Sequence, residues 1–160
     1  MTDTQKKSPE IPKEVIEHLK LREGWSEKVY LDTRKFPTAG MGHLLNAAEK
    51  AKYPVDAVVP KAVLEGWVRA DSRKAYNAAL AQAKTLGLSD KKFIVVLTSV
   101  NFQLGTAWNS IHKNTWKHMV AKNWEKAALE AQDSRWFRQT PVRVRDFQAA
   151  LRALIRTREG

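Results

Sequence analysis

The sequence predicts an α+β fold, mostly α, and three observations carry that expectation. Apolar residues recur at helical spacing through most of the 160 residues. One glycine-punctuated stretch of strand character interrupts them near the N-terminus. Cysteine is absent, so the fold must rest on an apolar core, not on disulfides or cysteine-bound metal. A hydrophobic share of 43% beside 28% charged residues is enough for such a core and argues against disorder.

Residues 1–10 are polar and aperiodic and are expected to form a flexible tail. Pro12 sits where a first helical residue belongs, Val15, Ile16 and Leu19 repeat at helical spacing, and Gly24 supplies a stop. A helix over 12–23 follows, with Glu23 at the end of its apolar stripe, where the helix dipole disfavours negative charge. Val29-Tyr30-Leu31 reads as a strand, Thr33 to Phe36 as a turn, and Thr38 to His43 as a second strand or loop, together a small β ribbon. Residues 46–58 are weakly patterned, with Pro54 as a breaker. Pro60 opens a helix reaching about Lys84, roughly 35 Å long. Gly87 ends that region and Ser89 resembles an N-cap. Phe93 to Leu104 is apolar nearly all round, which suits a fully buried helix. Shorter helices are expected near 115–121 and 124–131. Thr140-Pro141 then opens a last helix with Phe147, Leu151, Leu154 and Ile155 on one face and most of its arginines elsewhere.

Lys plus Arg number 28 against 17 for Asp plus Glu, and the net charge of +11 calls for an anionic partner. No run of apolar residues is long enough for a membrane helix, so no membrane insertion is expected. The N-terminal stretch has no secretory pattern. No recognition-helix or zinc pattern supports nucleic-acid binding.

The chemistry-bearing stretch runs from Glu23 to His43. One carboxylate ends an apolar helix face, and a second, Asp32, follows nine positions on at the end of a strand. A hydroxyl, Thr38, comes six positions later across the turn. Glycoside hydrolysis uses two carboxyls in unlike environments: one protonates the leaving oxygen, while the other stays ionised to activate water or stabilise a cationic transition state. Taken alone, the pair is most simply a helix-end glutamate and a turn aspartate, both solvated.

The pattern Glu-x8-Asp-x5-Thr, followed by x-Gly-x-Gly-His-Leu-Leu, resembles the active-site segment of the phage-type lysozymes (glycoside hydrolase family 24), most of all the T-even branch. Asn101-Phe102-Gln103-Leu104-Gly105, Trp124 with Ala127-Ala128, and Ser134 through Arg143 resemble later parts of the same family. The resemblance covers about 11–158 and is weakest over 46–88. It implies a single lysozyme domain over 11–160. Within it, a small N-terminal α/β lobe (about 11–59) and a larger helical C-terminal lobe (about 85–160) are joined by a long helix (about 60–84), with a cleft between the lobes.

The implied activity is that of an endolysin muramidase. It would hydrolyse the β-1,4 bond between N-acetylmuramic acid and N-acetylglucosamine in peptidoglycan, with inversion, causing host cell lysis. By the same resemblance Glu23 is the general acid, and Asp32 stabilises the transition state and orients the attacking water with Thr38. Leu44, Phe102, Gln103, Thr115 and Glu130 contact substrate. Arg143 pairs with Glu23 and His43 with Asp71. Neither cofactor nor metal is expected. The enzyme would be a monomer, made in the host cytoplasm and released through a separate membrane lesion such as a holin makes. Its partners would be glycan strands and an anionic wall or lipopolysaccharide surface. A lytic transglycosylase, a basic nucleic-acid-binding helical protein and an inactive wall-binding module are the alternatives, and the joint presence of Glu23, Asp32 and Thr38 speaks against them.

Some positions depart from the family pattern. Lys35 stands in a turn where glycine is common, with Pro37 before Thr38. Thr115 and Glu130 stand where close relatives have serine and asparagine, and Asp146 replaces a basic residue. Of the six tryptophans, Trp25, Trp67, Trp116, Trp124 and Trp136 read as core, while Trp108, before a helix break, is a candidate to line a cleft.

Overall fold

A first helix, α1 (Lys13–Glu23), leads into an antiparallel sheet of β1 (Ser26–Leu31), β2 (Pro37–Gly40) and β3 (His43–Leu44), in the order β1-β2-β3. Among the described residues eight helices follow: α2 (Ala47–Lys52), α3 (Lys61–Thr85), α4 (Lys91–Leu104), α5 (Trp108–Ile111), α6 (Lys113–Val120), α7 (Trp124–Gln132), α8 (Arg135–Gln139) and α9 (Pro141–Glu159). The computed structural model describes residues 10–159, with side chains to 156, so the tail expected over 1–10 lies almost wholly outside the described residues. The chain divides into two compact units, Met1–Arg73 and Lys74–Gly160, and the boundary falls within α3.

In the first unit, α1 starts one residue later than the proline suggests. Pro12 is its N-cap, and the Pro12 carbonyl accepts from the Val15 and Ile16 amides. Val15 and Leu19 are buried, and Gly24 (φ 85°) turns the chain out of the helix, its amide donating to Lys20 O. That φ favours glycine, so the residue after Glu23 sets the direction in which the chain enters β1. Residues 56–59 run along the outer edge of β1: Val29 N donates to Ala57 O and Val59 N to Glu27 O. Val29, Ala39, Leu45, Val59 and Leu64 form the core of this unit, with Tyr53, Val63 and Trp67 packed against it.

Helix α2 falls in the weakly patterned 46–58 segment. It is held by a reciprocal capping box, in which Asn46 Oδ1 accepts from Glu49 N and Glu49 Oε1 accepts from Asn46 N.

The second unit packs its helices around Phe93, Leu97, Trp108, Met119, Phe147 and Leu151, all essentially inaccessible to solvent. Ala79, Ala83, Ala127, Ala128 and Ala131 let its helices approach closely. The cap of α4 is Asp90, whose Oδ1 accepts from Phe93 N, and not Ser89. An aspartate one residue later reaches the same orphan amide with a charged acceptor. Helix α4 is also less enclosed than its sequence suggests, since Ile94, Val95 and Val96 are only half-buried.

The tryptophan reading is inverted at two positions. Trp108 is wholly buried rather than cleft-lining, while Trp25 is 40% exposed under the Lys20 ammonium, 4.4 Å from its ring centroid. Trp108 belongs to a polar network inside the core. Gln82 Oε1 accepts from Trp108 Nε1 (3.2 Å) and Asn101 Nδ2 (2.8 Å), and Gln82 Nε2 donates to Asn101 Oδ1 (3.0 Å). The network closes through Asn101 Nδ2 to Leu97 O, so its amide groups find partners without water. Among the described residues, no helix is long and apolar enough to cross a membrane.

Candidate active site

The three residues singled out for catalysis lie on consecutive elements of the first unit. Glu23 is the last residue of α1, and its Oε2 atom is sealed from solvent. Asp32 follows β1 and opens the loop to β2. Its amide donates to Phe36 O (3.0 Å), and its carbonyl accepts from Lys35 N (2.8 Å). Its side chain holds the same loop from within: Oδ1 accepts from Arg34 N (2.9 Å) and Phe36 N (2.8 Å). This is a three-residue hairpin loop, a tight turn followed by one left-handed residue. The left-handed residue is Lys35 (φ 66°), so the position where glycine is common keeps a glycine-like backbone while carrying a side chain. Among the described residues, no hydrogen bond reaches Asp32 Oδ2. One oxygen shapes the loop, and the other remains open to a ligand or water.

Thr38 is 2% exposed, and its hydroxyl donates to Phe36 O (2.8 Å). With its proton engaged, that hydroxyl can only accept from a further partner. The sheet register sets its neighbours. Thr38 pairs with Tyr30 on one side and Leu44 on the other, so the three side chains form one cross-strand row on one face. Leu44 is 50% exposed there.

His43 lies behind this row in a closed set of contacts. Its Nδ1 meets Asp71 Oδ2 at 2.7 Å and its Nε2 meets Glu49 Oε1 at 2.9 Å, and the ring stacks on Trp67 with centroids 4.3 Å apart. Carboxylates only accept, so an imidazolium can donate to both of them, whereas the neutral ring can donate to one alone. Burial opposes that charge, but the hydrogen bonds and charges of Asp71 and Glu49 outweigh it and raise the His43 pKa above 6.5. For Glu49, burial is likewise outweighed, by the Asn46 amide and then His43, and its pKa is lowered. The Asp71 contact is the one expected. Glu49 was missed, although Asn46-x-x-Glu49 is a legible capping box.

The other expected substrate contacts lie in the second unit. Phe102 is half-buried near the end of α4. Gln103 is locked in place: its Oε1 accepts from Trp136 Nε1 (3.0 Å), and its Nε2 donates to Thr140 Oγ1 (3.0 Å). Thr115 and Glu130 line one cavity of about 150 Å³. Arg143 Nη2 donates to the Ser99 carbonyl and hydroxyl, which ties α9 to α4. Among the described residues, no group of three or more His, Asp or Glu side chains could hold a metal ion.

Against known families, the model described as phage lysozyme matches residues 20–159. The chain belongs to the phage lysozyme family. It is therefore a glycoside hydrolase, a lysozyme-type enzyme of cell-wall hydrolysis. The enzyme is 28% identical over 151 residues to a probable T4-type lysozyme 2 of Dictyostelium discoideum, covering 78% of this chain and 85% of that protein. It is 25% identical over 125 residues to the peptidoglycan hydrolase gp36 of Pseudomonas phage phiKMV, covering 78% of this chain and 14% of that one. It is also 28% identical over 154 residues to the pre-baseplate central spike protein Gp5 of Enterobacteria phage T4, covering 81% of this chain and 26% of that one. The two phage relatives thus extend far beyond the matched segment.

Proposed function

We propose that this lysozyme is a peptidoglycan muramidase that cleaves the β-1,4 bond between N-acetylmuramic acid and N-acetylglucosamine with inversion, and that it serves as a phage endolysin in host cell lysis. The observation that carries the reading is the division of labour at Asp32. Its Oδ1 is spent on two backbone amides and its Oδ2 takes no hydrogen bond from the described residues, while the Thr38 hydroxyl, held by the carbonyl of the same Phe36, can only accept.

In this reading Glu23 donates its proton to the bridging oxygen as the C1–O bond breaks. A water on the opposite face gives one hydrogen bond to Asp32 Oδ2 and one to Thr38 Oγ1. Both its protons are then engaged, and a lone pair points at the anomeric carbon. As the C–O bond forms, one water proton passes to Asp32, and the product leaves as a reducing sugar. Inversion needs room for that water, a carboxyl separation of roughly 6.5–9.5 Å. Leu44, and in the second unit Phe102, Gln103, Thr115 and Glu130, position the glycan.

Made in the host cytoplasm, the enzyme would act as a monomer after a separate lesion such as a holin makes opens the way to the wall. The net charge of +11 supports an approach to an anionic wall or lipopolysaccharide surface. So does a groove of about 330 Å³ on α9 that includes Arg145, Arg152 and Arg156. Arg152 is already engaged by Glu125 through two 2.9 Å contacts, which leaves Arg145 and Arg156 as the attracting charges.

The test is turbidity loss of purified peptidoglycan by the wild type and by Glu23→Gln, with the products identified. The proposal expects new reducing ends of inverted configuration from the wild type and no lysis from a folded variant, whose amide cannot supply the proton. Anhydro sugar ends, or a Glu23→Gln enzyme retaining substantial turnover, would overturn it.

A further inference from the structure

The register that sets Thr38 between Tyr30 and Leu44 continues one step toward the hairpin loop. Tyr30 faces Thr38 and Leu31 faces Pro37, so Asp32 faces Phe36, and Asp32 N donates to Phe36 O (3.0 Å) across that pair. Residues two apart on a strand share a face. Tyr30, Asp32, Phe36 and Thr38 therefore form a four-cornered patch, about 4.8 Å across the strands and about 6.7 Å along them. The two polar side chains occupy one diagonal and the two aromatic rings the other. Leu44 extends the patch beside Thr38.

This is the face turned away from the core, since Val29 and Ala39 on the opposite face are buried. Tyr30, Phe36 and Leu44 are 40%, 49% and 50% exposed, which makes them a continuous apolar frame around the buried Thr38. An isolated exposed apolar side chain means little, whereas a contiguous set marks a binding surface. Packing within the protein does not account for the rings. Among the described residues the Tyr30 ring meets no other ring, and its hydroxyl makes no hydrogen bond. The Phe36 ring carries the Arg34 guanidinium 5.1 Å from its centroid, a contact on one face of the ring.

The chemistry of the patch selects its occupant. A ligand lying here must offer polar atoms to Asp32 and Thr38 and apolar surface to the rings on either side. A pyranose does both. Its oxygens lie round the rim, and the axial hydrogens of a β-1,4-linked sugar form a C–H face that is polarised positive. That face is attracted to the negative face of an aromatic ring. We propose that Tyr30 and Phe36 form an aromatic platform that binds the C–H face of the wall sugar presented to Asp32 and Thr38. The proposal rests on the muramidase reading above and adds to it the residues that hold the reacting sugar by its ring. Both are substrate-binding residues, and neither takes part in proton transfer.

Steady-state kinetics on purified peptidoglycan and on peptide-free glycan strands tests this with Tyr30→Leu and Phe36→Leu beside the ring-keeping variants Tyr30→Phe and Phe36→Tyr. Each leucine variant is expected to raise KM about three- to tenfold on both substrates, the range of one aromatic contact, with kcat within about threefold of wild type. The ring-keeping variants are expected to return KM to within about twofold of wild type. A second measurement needs no change at either ring: on titrating peptide-free strands into the non-cleaving Glu23→Gln enzyme, the Tyr30 and Phe36 ring resonances are expected to shift in NMR spectra. Unshifted rings, or leucine variants with wild-type KM, would overturn the platform while leaving muramidase activity in place. So would a loss of kcat at unchanged KM, which assigns the rings to shaping the Asp32 loop. A rise in KM confined to peptide-bearing wall would overturn the sugar as occupant in favour of the peptide stem. Failure of the wild type to cleave either substrate would overturn the muramidase reading and the platform with it.

Discussion

Replacing Asp32 by asparagine separates what its two oxygens do. The amide keeps a carbonyl oxygen where Oδ1 stands, so the bonds from Arg34 N (2.9 Å) and Phe36 N (2.8 Å) can persist. They change from charged to neutral acceptors, at about 1 kcal/mol each and so about 2 kcal/mol at most. For a chain of this length that lowers Tm by up to about 8 °C. Alanine removes both bonds outright and costs a further 1–3 kcal/mol or so. Catalysis should respond differently. Both variants lose the charge and the second acceptor for the attacking water, and hydrolysis should fall by about 10²–10⁴-fold in each. Turbidity clearance of peptidoglycan and thermal unfolding followed by circular dichroism measure the two effects. An asparagine variant within tenfold of wild-type activity would refute the role of Oδ2. Equal melting of the asparagine and alanine variants would refute the tethering by Oδ1.

At Lys35, glycine should relieve about 1–2 kcal/mol of left-handed backbone strain and return about 0.5–1 through its freer unfolded state. A gain of about 0.5–1 kcal/mol is expected, read as a Tm rise of about 1–4 °C, and an unchanged or lower Tm would show that the loop carries no strain there. The His43 cluster should make stability depend on pH in two directions. The raised His43 pKa gives a contribution fully present below pH 6.5 and lost as pH rises through the higher folded value. The lowered Glu49 pKa gives one present above 4.5 and lost as pH falls through its folded value. Denaturant melts across this range should flatten on the alkaline side in His43→Gln, and a variant with the wild-type profile would exclude the cluster as the cause. Added salt should slow attack on whole cells more than on short oligosaccharides if the +11 charge steers approach, and equal slowing would count against steering.

Periodicity made the long elements legible. Helices α1, α3, α4 and α9 each combine a helical apolar stripe with a proline or glycine at an end, and their boundaries fall within a few residues of expectation. Helices α5 and α8 span four and five residues, too short for a repeat to show. Helix α2 buries no side chain, and its capping box was its only signal. Trp25 and Trp108 exchanged their expected environments because size and apolarity do not report position: Trp108 gains a buried partner in Gln82, and Trp25 lies against the Lys20 ammonium.

At the candidate site, the order and spacing of Glu23, Asp32 and Thr38 could be read directly. The assignment of one Asp32 oxygen to the loop could not, since it depends on where the Arg34 and Phe36 amides point once Lys35 turns left-handed. Nor could the meeting of Thr115 and Glu130 at one cavity, which depends on how α6 meets α7.

The amide network of Gln82, Asn101 and Trp108 acts as a proofreading step on assembly. Helix α3 meets this core through the small side chains of Ala79 and Ala83, which several rotations of α3 against α4 and α5 would accommodate nearly as well. Sliding one of these helices by a single residue turns its side chains by about 100° and strands several polar groups in a dry interior. Each stranded group costs about 1–3 kcal/mol, so near-miss packings that apolar contact alone would tolerate are rejected.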